Sequence, residues 1–387
     1  MAGESAAASL AGLAGMLRAE ATNGLFWGAG DDELARLRLL RRRAAALMAE
    51  VDHRPKAELE ACFDTDVHLR SPWPATEFRI HCADGERLVQ RRRLRRGGDS
   101  LGRRLAELGQ ALGTEAPSVV SGIADTGLAG LPCPHTFLIV YEAATSRTAA
   151  EVGRRLAPSD PDLDGPVEAL PPAESAVDPQ PAPVPVSPAA KAILNEVARV
   201  AAEGVAAAAN VYDLERHERV MALCGSTVET DLAYPRLDCG DLAAEPLSTA
   251  ADAAIFDARN RLLLIRRTDT GQWAMPGGAA EVGETVGMAA VREAFEETGL
   301  DIGLTGLACV SDRRESGLAD SRFPMIMSFS ARLNDPDQPI RLAELEASDS
   351  RWITPDEIEG IDFFGGHGRR VRVAFAAHAA RQPRPPR

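Results

Sequence analysis

Three glutamates, Glu293, Glu296 and Glu297, directly follow Arg292 in the C-terminal third of the chain. At about 100° per residue, a helix would place their carboxylates within an arc of about 100°. The simplest interpretation is a solvated acidic face, relieved by an Arg292 to Glu296 pair at i, i+4. However, the loop MPGGAAEVGE precedes the acids, and its glycines let backbone approach a ligand closely. Because grouped hard oxygens suit Mg²⁺ or Mn²⁺, we favour a divalent-metal site.

The same helical arithmetic predicts which side of this segment packs. The apolar and small residues on the side away from the acids are Met288, Val291, Ala294, Phe295 and Thr298. We therefore expect one face of the helix to be buried and the opposite face to carry the glutamates.

Residues 278–300, GAAEVGETVGMAAVREAFEETGL, resemble the signature sequence of the Nudix hydrolases, G-x5-E-x7-R-E-U-x-E-E-x-G-U, where U is apolar. Every fixed position is filled: Gly278, Glu284, Arg292, Glu293, Glu296, Glu297 and Gly299. The one departure is Ala294, a small residue where the family usually has a larger apolar one. Because so many specified residues match at fixed spacing, the segment is identified as a member of this family.

The resemblance implies a set of roles for the matching residues. The carboxylates of Glu293, Glu296 and Glu297 and the carbonyl of Gly278 would bind Mg²⁺ or Mn²⁺, and Arg292 would orient the glutamates. The metal would neutralise charge on the bridging phosphates and lower the pKa of a bound water. The fold implied is an α/β/α sandwich with a mixed sheet.

The general base is not specified by the motif. In this family it can be a glutamate of the signature or one on a later loop, and Glu344 and Glu346 are the candidates on such a loop. The alternative is that both are solvated charges before an exposed turn. For Glu284 the resemblance implies a structural role.

Other residues near the loop are candidates for substrate binding. Trp273 could stack on a nucleobase or fill the edge of the sheet, and the two interpretations carry equal weight. Arg266 and Arg267 end a strand that points toward the same loop, where they could contact phosphates.

A second resemblance lies upstream. Residues 193–223, and VYDLERHERV within them, are similar to the helical N-terminal extension of CDP-choline pyrophosphatase-like Nudix enzymes. That extension helps form a dimer and borders the substrate pocket, so the resemblance implies a homodimer through residues 189–245. The alternative is an Ala-rich helix pair that packs on its own domain.

From these features we expect a divalent-metal-dependent enzyme, a Nudix-type pyrophosphohydrolase. Its expected substrate is a nucleoside diphosphate linked to another group, of the CDP-alcohol or ADP-ribose type, and its product a nucleoside monophosphate. One alternative is cleavage of a nucleoside triphosphate, including an oxidised one. Another is a nucleotide-sensing regulator in which residues 1–156 transmit the signal. The complete set of acids favours catalysis.

The patterns around the motif predict a multidomain α+β protein. From residue 246 onward, short strands, a Gly/Pro loop and one strong helix indicate the α/β domain, 246–387. Residues 157–188 hold ten of the 26 prolines and are typical of a linker. Ser187-Pro188 are typical of a helix start, and the helical extension 189–245 follows.

Residues 1–156 are expected to form a separate small α+β domain of unknown function. The patterns predict a helix from Asp31, a hairpin that turns at Asp84-Gly85, a helix over 99–112 and a strand over 136–143. The basic run from Arg87 to Leu105 lacks interleaved aromatic residues. A solvated, arginine-guarded hairpin edge therefore explains it better than a nucleic-acid surface.

Charge and composition exclude several further classes of function. The net charge is −14, and residues 157–387 hold 22 Lys+Arg against 37 Asp+Glu, which argues against nucleic-acid binding there. The six cysteines form no C-x-x-C pair and predict reduced thiols. No apolar run reaches the ~18 residues needed to cross a bilayer, and Glu4 stands where a signal peptide carries positive charge, so we expect a cytoplasmic protein.

Overall fold

The structure is a computed structural model, and it divides into an N-terminal unit, Met1–Leu247, and a C-terminal unit, Ser248–Arg387. The residues that it describes are 10–28, 30–52, 54–94, 98–115, 120–125, 136–156, 167–170, 183–225, 230–232, 247–316 and 323–381. The predicted linker therefore lies largely outside the described residues. No described helix has the length and apolar character needed to cross a membrane.

Helices make up much of the N-terminal unit. They are α1 (Leu10–Trp27), α2 (Asp31–Met48), α3 (Lys56–Asp64), α4 (Leu101–Leu112), α5 (Ala149–Arg155), α6 (Pro188–Ala207) and α7 (Val211–Gly225). As expected, Ser187 caps α6 by accepting a hydrogen bond from the Ala190 N–H, with Pro188 at the first helical position. Helix α2 is capped at Gly30 and not at Asp31, which is its first helical residue.

The grouping of the helices differs from the sequence expectation. Leu194, Val197 and Val200 of α6 are buried in one core with α1 and α2, so the predicted helical extension packs on residues from before the proline-rich segment. The Arg43 guanidinium on α2 also pairs with the Glu196 carboxylate on α6 at 2.7 Å. The physical reason is that the apolar stripe of α6 packs against apolar residues of α1 and α2, a match that helical spacing alone cannot reveal.

A five-stranded sheet forms the rest of the N-terminal unit, in the order β3-β4-β1-β2-β5. Its strands are β1 (Trp73–His81), β2 (Arg87–Arg93), β3 (Val120–Asp125), β4 (Thr136–Ala144) and β5 (Glu168–Ala169). The predicted hairpin is β1 and β2, paired antiparallel, with Gly85 at φ 86° in the turn. A short ladder joins β6 (Pro183–Pro185) to β7 (Thr230–Leu232).

The basic run of this sheet is matched by acids. The guanidinium groups of Arg79 and Arg91 both pair with the buried Glu77 carboxylate. On α4, Arg103 pairs with Asp99 and Glu107.

The C-terminal unit is built on a seven-stranded mixed sheet whose main path is β10-β9-β8-β13-β12. Its strands are β8 (Thr249–Phe256), β9 (Leu262–Arg267), β10 (Trp273–Ala274), β11 (Gly277–Ala279), β12 (Ile302–Asp312), β13 (Met325–Leu333) and β14 (Ala347–Ile353). Strands β8 and β13 run parallel, β11 pairs with β8, and β14 pairs with β9. The mixed sheet confirms the predicted fold class.

Two helices cover this sheet, α8 (Val286–Thr298) and α9 (His367–Arg381). Ala254 and Phe256 of β8 share a core with Val371, Ala374 and Phe375 of α9. Every residue of β8 is buried, and successive side chains point to opposite faces, so the other face is covered as well, by α8. The sheet therefore lies between two helical layers.

Candidate active site

Helix α8 is fixed at both ends by residues of the signature. The Thr285 hydroxyl accepts a hydrogen bond from the Met288 N–H at 3.0 Å, and Gly299 ends the helix in the left-handed conformation at φ 67°. Ala289, Ala290 and Ala294 are fully buried. The small side chain of Ala294 thus lies in the face by which α8 approaches the sheet.

The predicted packing face of α8 was wrong for its large residues. Met288 and Phe295 are 54% and 58% exposed, whereas Glu297 is buried. The alanines form the contact with the sheet, and this directs two of the acids inward beside the loop at Gly277. The acidic face therefore borders the packed face instead of opposing it.

Arg292 links four oxygen-bearing groups of the site. Its guanidinium donates hydrogen bonds to Glu284 at 2.8 and 3.1 Å, to Glu293 at 2.9 Å and to Glu296 at 2.8 Å. It also donates to the carbonyl of Ala279 at 2.9 Å. One cation thus ties the loop to the helix and orients three carboxylates, Glu284 among them.

The two glycines of the loop lie against the two acids that point inward, Glu297 and Glu293. The Gly277 N–H donates a hydrogen bond to Glu297 Oε2 at 2.8 Å. At Gly278, an added Cβ would lie 2.5 Å from Glu293 Oε2, so only glycine permits this approach. The loop backbone and the acids of α8 therefore form one compact group.

The buried acids carry more negative charge than their surroundings balance. Burial raises the pKa of Glu293 to about 7, with Arg292 opposing the rise and Glu296 adding to it. Burial also raises the pKa of Glu297 well above its ordinary value, and repulsion by Glu293 contributes. The arrangement would be stabilised by added positive charge.

The donor set is chemically suited to a hard cation, since it consists of carboxylate oxygens beside backbone carbonyls. Among the described residues, no three His, Cys, Asp or Glu side chains converge as a closed metal site. The reason is visible in the hydrogen bonds, because Arg292 draws both Glu293 and Glu296 toward itself.

Of the two later glutamates, the structure brings only Glu346 to this group. Its charge acts on both Glu293 and Glu297, and its side chain is half-buried. Glu344 is exposed.

The predicted substrate residues lie around β9 and β10. Arg267 pairs with Asp269 at 2.7 Å, and its charge also acts on Glu297. Arg266 is exposed and donates from Nε to the carbonyl of Gly271 at 2.9 Å. The half-buried Trp273 packs against the α9 core, as the sheet-edge interpretation expects, with the Arg351 guanidinium 5.2 Å from its ring centroid.

Sequence reasoning missed a polar group beneath the loop. The Arg370 Nε donates to Asp252 Oδ2 at 3.0 Å, both side chains are buried, and Asp252 lies opposite Gly277 in the β8–β11 ladder. The Met275 N–H donates to Nδ1 of the buried His367 at 3.1 Å. A signal was present in the Gly365-Gly366 pair before His367, which is typical of a sharp helix entry.

The C-terminal unit is similar in sequence to known proteins. The family model described as NUDIX domain matches residues 246–371. An alignment with a MutT-like protein of Streptomyces ambofaciens shows 29% identity over 149 residues and covers 36% of this chain and 91% of that protein. The mouse protein named Nucleoside diphosphate-linked moiety X motif 6 is 31% identical over 107 residues, covering 26% of this chain and 32% of that protein.

Among solved structures, one titled as an ADP-ribose pyrophosphatase from Streptococcus suis matches with a TM-score of 0.30 and 24% identity. It covers 35% of this chain and 93% of that chain. The chain therefore contains a Nudix domain at residues 246–371.

Proposed function

We propose that residues 246–387 hydrolyse the pyrophosphate bond of a nucleoside diphosphate linked to a second group and release a nucleoside monophosphate. The observation that carries this proposal is the uncompensated acidic group, in which the half-buried Glu293 and the buried Glu297 lie against Gly278 and Gly277. A group with so much buried negative charge is suited to hold cations between itself and an anionic substrate.

The residues that would hold Mg²⁺ or Mn²⁺ are Glu293, Glu296 and Glu297, with the carbonyl of Gly278. When bound, the metal supplies neutralisation of phosphate charge and a bound water of lowered pKa. The part of Arg292 is to fix the orientation of the glutamates, because its five hydrogen bonds leave its guanidinium little freedom.

Glu346 is proposed as the general base. Of the two later glutamates, it is the one whose charge reaches Glu293 and Glu297, and it is carried on the turn that leads into β14. A carboxylate in that position accepts the proton of the attacking water. The exposed Glu344 is assigned no part in the reaction.

The substrate class is supported by the printed name of the mouse relative, which refers to a moiety linked to a nucleoside diphosphate. CDP-alcohols and ADP-ribose are the leading substrates. Arg267 is the proposed phosphate contact, because it lies within electrostatic reach of Glu297. Arg266 and Trp273 are proposed to contact the rest of the substrate.

The test is a screen of the full chain with Mg²⁺ or with EDTA against CDP-choline, ADP-ribose, NADH, dinucleoside polyphosphates and nucleoside triphosphates. Release of monophosphate from the diphosphate-linked compounds, abolished by EDTA, is the expected result. Faster turnover of triphosphates would replace the proposed substrate class. Tight nucleotide binding without turnover would establish the sensor alternative.

Two further parts of the proposal concern the whole chain. The apolar stripe of α6 is covered within one chain, so a homodimer through 189–245 has to use the remaining surface of α6 and α7. Sedimentation at micromolar concentration tests it, and a monomer would contradict it. A cytoplasmic location is also proposed, and cell fractionation tests it.

A further inference from the structure

Two guanidinium groups lie over two consecutive glycines at the start of α9. A Cβ added at Gly365 would lie 2.6 Å from Arg313 Nη2, and one added at Gly366 would lie 3.7 Å from Arg370 Nη1. Both glycines have positive φ, 37° and 85°, so the chain turns sharply beneath the two cations. We call Arg313, Gly365, Gly366 and Arg370 the arginine–glycine cluster.

One of the two cations of this cluster, Arg370, is paired with the Asp252 carboxylate, and the other, Arg313, is unbalanced among the described residues. No carboxylate in the described part of the chain pairs with Arg313, and its Nε is buried without a hydrogen-bond partner. Burial lowers the pKa of Arg313, and the charge of Arg370 lowers it further. Arg370 is 3% exposed, and within the described residues its guanidinium hydrogen-bonds through Nε to Asp252. Two neighbouring guanidinium groups with unused donors are typical of an anion site.

The helix adds to the positive potential. Helix α9 is 15 residues long, and its first N–H groups point toward the Gly365-Gly366 turn, where the helix dipole is positive. The neighbouring His367 accepts a hydrogen bond through Nδ1 and is therefore neutral. It adds no charge and fixes the entry of α9 against Met275.

We propose that the arginine–glycine cluster is an anion subsite that binds a phosphate group of the substrate directly, without a metal ion. This inference rests on the proposed function for its role in turnover. The link between the two sites is Arg267, whose charge acts on both Glu297 and His367 and whose guanidinium lies 4.4 Å from the Phe364 ring centroid. A substrate with two phosphates can thus meet the acids of α8 through cations and the cluster through arginine.

The first experiment measures binding of inorganic phosphate to the full chain in excess EDTA, by the broadening of the ³¹P resonance at constant ionic strength. Arg313→Gln should weaken phosphate binding at least about tenfold, because it removes a charge-assisted pair of donors. The phosphate affinity of Arg313→Lys should lie between those of the unmodified chain and Arg313→Gln, since an ammonium keeps the charge but loses the planar fork.

The matched control is Arg259→Gln. Arg259 is exposed in the turn between β8 and β9. The variant should therefore bind phosphate as tightly as the unmodified chain does. A second variant, Gly365→Ala, displaces the Arg313 guanidinium with its new Cβ and should also weaken phosphate binding. Equal broadening in Arg313→Gln and the unmodified chain, or none in either, would overturn the proposal.

The second experiment separates this subsite from the proposed function. With Mg²⁺ and the best nucleotide from the screen, Arg313→Gln should raise KM about tenfold and change kcat less than about threefold. A fall in kcat with KM unchanged would contradict a binding role. Phosphate binding that depends on Arg313 although no nucleotide is hydrolysed would support the subsite and contradict only the proposed function.

Discussion

Two clusters of acids and arginines in this protein have opposite ratios of acid to arginine. In the N-terminal unit, the single carboxylate of Asp66 accepts paired hydrogen bonds from Arg18 and from Arg70, all at 2.6 or 2.7 Å. On α8, the single Arg292 serves three glutamates. In the first cluster the one acid is more than matched by two arginines, whereas the second cluster keeps a surplus of negative charge.

The pKa values record this difference. Burial by itself would raise the pKa of Asp66, but hydrogen bonds from Arg70 and Arg18 lower it. For Glu293 the pKa is raised to about 7, because one arginine cannot offset burial and the neighbouring acids. A buried acid that is matched by arginines contributes to the fold, and a group of acids that is not matched is prepared for a ligand.

Asp66→Asn should have the largest effect on stability. It leaves Arg18 and Arg70 without their shared carboxylate, and breaking a buried pair in this way costs about 3–5 kcal/mol. Urea denaturation measures the change. Asp64→Asn is the matched control, since its pair with Arg41 has a carboxylate that is 58% exposed and should cost less than about 1 kcal/mol. Equal losses in the two variants would remove the distinction between the clusters.

Glu297→Gln should reduce kcat more than about 100-fold, since even partners that only orient a metal ligand are worth 10- to 100-fold. The amide can still accept the hydrogen bond from Gly277, so the melting temperature in EDTA should not fall. Glu344→Gln, at an exposed position on the later loop, is the control and should keep full activity. A Glu297 variant with more than a tenth of the activity at saturating Mg²⁺ would contradict the metal assignment.

Divalent metal should stabilise the C-terminal unit and leave the N-terminal one unchanged. Saturation at about 100 times the dissociation constant corresponds to about 2.7 kcal/mol. Hydrogen exchange followed by mass spectrometry resolves the two units, and Mg²⁺ should slow exchange in α8 but not in α2. Ca²⁺-free buffer with EDTA provides the baseline. Protection of both units, or of neither, would count against a metal site on α8.

The smallest effect is a pH dependence of opposite sign in the two units. A lowered pKa means that the contribution of Asp66 is present above about pH 4, the unfolded value, and is lost as pH falls through the folded one. A raised pKa means that, without metal, the C-terminal unit loses stability as pH rises from about 4 to 7. Exchange rates in EDTA from about pH 2 to 7 measure both slopes, that of Asp66 below about pH 4 and that of Glu293 above it, and slopes of the same sign would contradict the comparison.

Much of the C-terminal unit could be predicted from sequence because its signals are local. The fixed spacing of the signature places Arg292 and the glutamates on one helix, and the short apolar runs within 253–267, 304–311 and 323–333 predict strands. The direction of the packed face could not be predicted, because Phe295 and Met288 are apolar but the alanines of α8 are what fit against the sheet. Helical periodicity distinguishes the faces of a helix by polarity, but it does not indicate how much space separates the helix from the sheet.

The fold of the N-terminal unit was harder to predict from sequence, because its core joins segments that are far apart in the chain. Helix α2 and the β1–β2 hairpin follow from local patterns, but the contact between α2 and α6 bridges some 150 residues, including the proline-rich segment. Helix α1 was not predicted, since its Ala- and Gly-rich sequence shows little contrast between faces. An amphipathic pattern says that a face is buried and does not say by which partner.

Adjacent glycines at the loop are constrained by different selective pressures. A side chain at Gly277, where φ is 157°, would clash with the backbone carbonyl oxygen of Ala251, so replacement there disrupts the sheet itself. At Gly278, the obstacle is the carboxylate of Glu293, which can move aside. In a library of random variants sorted first for expression and then for turnover, position 277 should be depleted in the first round and position 278 only in the second. The boundary between selection for folding and selection for chemistry therefore runs between two neighbouring peptide units.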